Sequence, residues 1–93
     1  MKMNQKKQLI QQIKIVLHHL EQEYVHEIKA GVLQLIYKRY KGALNILEND
    51  EDIKDINIIG SVRAYMDSYS DYENPLLGEM HKAEKLYKDL INS

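Results

Sequence analysis

From Leu9 to Leu47 apolar residues return mostly at intervals of three or four: Leu9, Ile13, Val16, Leu20, Tyr24, Ile28, Val32, Leu35, Tyr40, Ala43 and Leu47. That spacing follows the 3.6-residue turn of an α-helix and does not fit the alternation of a half-buried strand. The chain is therefore expected to be all-α. Gly31 and Gly42 interrupt the stripe, but isolated glycines cost only about 1 kcal/mol each against alanine and do not end a helix unaided. One continuous helix and a helix broken near residues 21–31 both fit. The continuous form would exceed about 60 Å in length. It would leave apolar surface that the rest of a 93-residue chain cannot cover.

The acidic stretch Glu48-Asn49-Asp50-Glu51-Asp52 reads as a turn, because Asp and Asn suit loops and N-caps and acids favour the positive end of a helix dipole. A second helix is expected to start at about Asp50 to Asp52 and to run to Tyr69 or Tyr72. Its stripe is Ile58, Val62, Tyr65, Tyr69 and Tyr72, widened by Ile59 and Met66. The single proline follows at Asn74-Pro75, an N-cap and first-turn pair: Asn accepts an orphan amide and Pro has none to leave unsatisfied. A last helix should begin there, with Leu76, Met80, Ala83, Tyr87 and Leu90 on its buried side. The architecture expected is a single domain over 1–93, a small antiparallel helical bundle of three or four helices whose first helical segment is long or kinked.

Composition narrows the function classes. The chain has no cysteine, which excludes disulfides, thiol nucleophiles and thiolate metal sites. No apolar run approaches the roughly 20 residues of a membrane span. No leader-like segment stands at the start, so the cytoplasm is the expected location. Charge is divided: residues 1–41 hold eight Lys/Arg against three Asp/Glu, and residues 42–93 hold five against eleven. A basic segment of net +5 is thus placed to lie against an acidic one of net −6, within one chain or between copies.

The residues bear on four chemistries. His19, Glu23 and His26 stand at i, i+4 and i+7, so all three side chains leave one helical face, and Glu23 with His26 has the Glu-x-x-His spacing of carboxylate-bridged metal bundles. No complementary set exists elsewhere, so no metal and no cofactor are expected, and the residues read as a solvated polar face. Tyr37, Lys38, Arg39, Tyr40 and Lys41 set aromatic beside basic side chains, as a nucleic-acid surface would. The same pattern arises from tyrosines at a core edge with lysines lying over them, and nucleic acid is the alternative reading. No nucleophile, base or phosphate-cradling loop can be assembled, so no enzyme is expected.

Protein association has the broadest support. Small residues at Gly60, Ser61, Ala64 and Ser68 alternate with tyrosines, giving Tyr65, Tyr69, Tyr72 and Leu76 as interface candidates. A domain this small also has a marginal core, which raises the expectation of a homo-oligomer. The sequence reading is a non-enzymatic helical protein that acts by self-assembly and by contact with a protein partner.

Overall fold

The computed structural model describes residues 2–69 and 73–92, with side chains from residue 5 onward. Four α-helices follow one another: α1 Lys2–Glu23, α2 Gly31–Glu48, α3 Ser61–Ser68 and α4 Pro75–Ile91, with 3-10 turns at Glu27–Lys29 and Ile53–Asp55. No strand occurs among the described residues. The protein is a small all-α bundle with extents of 36 × 22 × 19 Å, too short for an unbroken helix from Asn4 to Leu47.

The helix breaks between Tyr24 and Ala30. Gly31 has φ +73°, in the left-handed region that glycine occupies without a Cβ penalty. That residue, read from sequence as a tolerated interior glycine, opens α2. The break resets the helical phase. Leu33, Ile36, Tyr40, Ala43 and Leu47 are the buried positions of α2, whereas Leu35, placed on the stripe by the continuous reading, is 45% exposed.

The chain then reverses. Glu21 meets Tyr37 and Lys14 meets Glu48, so α1 and α2 run antiparallel. On the other side Tyr24 meets Asn74 and Gln12 meets Glu79, so α4 is antiparallel to α1 as well. α1 is the central helix and packs chiefly on α4, then on α2. It contributes Leu9, Ile13, Val16 and Leu20, all fully buried, to a core completed by Leu76, Met80, Ala83, Tyr87 and Leu90 of α4. Each fully buried aliphatic side chain of this kind contributes about 1.5–3 kcal/mol by leaving water.

The acidic stretch ends α2 and does not start the next helix. Asp50 has φ +54°, a conformation Asp tolerates better than most residues, and Glu51 N–H donates to Ile46 C=O at 2.9 Å. This left-handed closure satisfies the last carbonyls of α2. Asp52 caps only the 3-10 turn, accepting from Lys54 N–H at 3.0 Å. α3 waits until Ser61, later than the sequence reading placed it. Ile56 and Ile58 are buried while Asn57 and Ile59 are exposed. That alternation of two belongs to extended backbone, to which β-branched isoleucine is suited.

The last helix starts where the Asn-Pro pair indicated. Asn74 Oδ1 accepts from Leu76 N–H at 2.9 Å and Pro75 occupies the first turn of α4. No helix among the described residues is long and apolar enough to cross a membrane.

Candidate interaction surface

α3 is only eight residues long and cannot be held by its own propensity, since isolated helices below about 12 residues are marginal in water. Its N-cap is Gly60, at φ +93° with no side chain to offer. The missing acceptor comes from α4. The Glu84 carboxylate accepts from Gly60 N–H at 3.3 Å and from Val62 N–H at 2.9 Å, placing a negative charge on the positive end of the α3 dipole.

The far end of α3 is fixed by Asn74. Besides capping α4, its Nδ2 donates to the phenol oxygens of Tyr24, at the end of α1, and of Tyr65, at 3.0 Å. One amide thus joins three helices at a single corner. The Tyr65 ring lies in the core, 2% exposed, and the Tyr69 ring stacks on it at 4.8 Å with an interplanar angle of 27°.

This geometry sorts the tyrosine segment. Tyr65 and Leu76 are interior groups that close the chain's own core, leaving neither a surface to give to a partner. Tyr69 is 38% exposed, and Tyr72 lies outside the described residues. Two apolar groups assigned to the buried stripe are in fact outside: Ile59, just before α3, and Met66, three residues before Tyr69. Exposed apolar groups therefore stand at both ends of α3. The sequence signal for Met66 was its position beside Tyr65: two consecutive residues of a helix point about 100° apart, so a buried Tyr65 turns Met66 outward.

The basic aromatic cluster is engaged internally. Tyr40 is fully buried and cannot stack on a base. The Tyr37 hydroxyl donates to Glu21 at 2.6 Å and Lys41 Nζ lies 5.8 Å from the Tyr37 ring centroid. The hydrogen bond to Glu21, then burial, raises the Tyr37 pKa above its ordinary value. Lys38 and Arg39 border a shallow groove in which Asp55 supplies an opposing charge. The histidines separate too: His19 Nδ1 lies 2.7 Å from Glu23 Oε2, but His26 falls beyond α1 in the turn. Among the described residues no three His, Cys, Asp or Glu side chains are grouped to hold a metal ion.

Two polar groups near the Glu84 cap have no hydrogen-bond partner among the described residues: the fully buried Tyr40 hydroxyl and the Ser61 Oγ. Burial first, and the Glu84 charge second, push the Tyr40 phenol far above its ordinary pKa. Tyr87 is also raised, by burial and by Asp52 and Asp55, and donates to Ile53 C=O at 2.9 Å.

At the end of the bundle away from the Tyr24–Asn74 corner, between α1 and the end of α2, Lys6, Lys7, Ile10, Leu47, Glu48 and Asp50 line an open groove. Lys6 pairs with Asp50 across it, and the Lys6 charge holds the Asp50 carboxyl below its ordinary range. Lys14 reaches Glu48 at 3.8 Å. The attraction between basic and acidic segments is concentrated here.

The profile of a family described as YeeD uncharacterised protein matches residues 3–93. A relative from Bacillus subtilis (strain 168), described as "Uncharacterized protein YeeD", is 33% identical over 95 residues, covering 94% of this chain and 93% of the relative. No solved structure matches.

Proposed function

The chain belongs to the YeeD family of uncharacterised proteins, and we propose that it acts without catalysis, through contact with protein chains, its own copies included. The observation that carries this reading is the exposure of Met66 on α3, a helix pinned by Glu84 and by Asn74, and of Ile59 and Tyr69 on the residues flanking it. A rigid apolar surface loses little conformational freedom on binding, so a larger part of its contact energy appears as affinity. Tyr69 adds a rigid aromatic face with a polar tip, the combination favoured at interfaces. The cytoplasm is the proposed setting, in keeping with a chain that uses no cysteine.

The test is light scattering on the intact chain at tens of micromolar, beside Met66→Asp and Tyr69→Asp. The expected result is a mass above that of one 11.0 kDa chain, reduced by the two substitutions while helicity is retained. A single-chain mass throughout overturns the self-association part. Capture of a defined partner that ignores both substitutions overturns the α3 surface.

A further inference from the structure

We propose that the groove between α1 and the end of α2 is where a second copy of this chain docks, in a two-fold arrangement whose axis runs along the groove. The groove has a volume of about 580 Å³. Its walls have opposite charge: Lys6 and Lys7 on the α1 side, Glu48 and Asp50 on the other. A two-fold axis along such a groove sets the basic wall of each copy against the acidic wall of its partner, twice over. The half-buried Ile10 lies between them and supplies apolar surface to cover.

Charges remain available for that contact. Lys7 is exposed and has no ion-pair partner among the described residues. Among the described residues Glu48 is held only by the 3.8 Å pair with Lys14, in which the Lys14 and Glu48 side chains are 57% and 50% exposed. Lys7 of one copy against Glu48 of the other is the pair the geometry selects. A uniformly acidic or uniformly basic partner meets its own sign on one wall, whereas a copy of this chain meets the opposite sign on both. A net charge of −1 leaves no long-range repulsion between copies.

The proposal rests on the self-association reading and adds a second contact between copies, apart from the α3 surface. Sedimentation equilibrium on the intact chain, on Lys7→Glu, on Glu48→Lys and on an equal mixture of the two variants tests it. The unchanged chain is expected to form a concentration-dependent dimer. Each variant alone should raise the dimer Kd about tenfold, since two like-charge contacts replace two opposite ones. The mixture should recover the original Kd, because each variant restores the other's missing sign. For the unchanged chain, an ionic strength of about 1 M, where the Debye length is roughly 3 Å, should weaken the dimer by a comparable factor. A chain that stays monomeric overturns this inference together with self-association. A dimer whose Kd ignores both substitutions and salt, or a mixture that fails to recover, overturns this surface alone and leaves self-association standing.

Discussion

The seam between α1 and α4 and the attachment of α3 hold two parts of one small molecule by different means. Along the seam, Leu9, Ile13, Val16 and Leu20 face Leu76, Met80 and Ala83, every one of them with no surface left to water. The one polar group in that layer, Gln12, donates to Glu79 C=O at 2.9 Å and to its carboxylate at 3.2 Å. α3 presents only Val62 and Tyr65 to the core among its apolar residues and is positioned by Glu84 at one end and Asn74 at the other. The lesson is one of redundancy. Buried area is shared among many side chains, so losing one weakens the seam by a fraction, whereas α3 depends on two polar residues.

The comparison is broken most severely in the seam. Ile13→Ala should cost about 2–5 kcal/mol, the range for truncating a fully buried aliphatic side chain, read from chemical denaturation. A cost near zero means the seam is loosely packed. Next comes Glu84→Ala, which leaves two amides of α3 without their acceptor and should cost about 1–3 kcal/mol. Hydrogen exchange sharpens the point: protection should fall across Val62 to Tyr65 and hold in α1 and α4. Uniform loss across all four helices would show that α3 is no separate unit.

Asn74→Ala is expected to cost about 0.5–2 kcal/mol for the lost cap, and to remove the amide that the Tyr24 and Tyr65 hydroxyls share. Association should weaken more than folding, because Tyr69 loses its fixed platform on Tyr65. The reverse order, with folding affected more, separates the corner from the contact surface.

The smallest effect is expected at Tyr40→Phe. Its hydroxyl is buried without a partner among the described residues, so removal should change stability by less than about 1 kcal/mol or raise it slightly. The same residue governs the alkaline limit. With the folded pKa raised above the ordinary 10.0, the unfolded chain releases this proton first, so stability present below pH 10 declines as pH rises beyond it. Tyr87 acts in the same direction. The part of the tyrosinate absorbance that Tyr40→Phe removes should therefore appear only as helicity by circular dichroism is lost, and Tyr40→Phe should reduce the alkaline sensitivity. Ionisation of Tyr40 before helicity is lost would contradict its burial.

Much of the fold was legible in local spacing. Leu9, Ile13, Val16 and Leu20 recur at helical intervals and are buried, and Asn74-Pro75 begins a helix where capping chemistry requires it. What spacing could not reveal was phase across a break. Gly31 looks like any tolerated glycine until its φ is known, and Leu35 was assigned inward because the stripe was extended through the turn. The isoleucines at 53, 56, 58 and 59 fit a helix or an extended strand about equally well over so short a run. Tyr69, read from the sequence as an interface candidate, is exposed. Glu84 was not legible, because a cap supplied 24 residues downstream leaves no local pattern at Gly60.

That distance has a consequence during synthesis. A ribosome delivers Gly60 and the eight residues of α3 well before Glu84, and the Tyr24 phenol 50 positions ahead of the amide that binds it. While the chain is growing, α3 has neither of its anchors. Its order is conferred retroactively, when the final stretch clears the exit tunnel and both anchors arrive on the same helix.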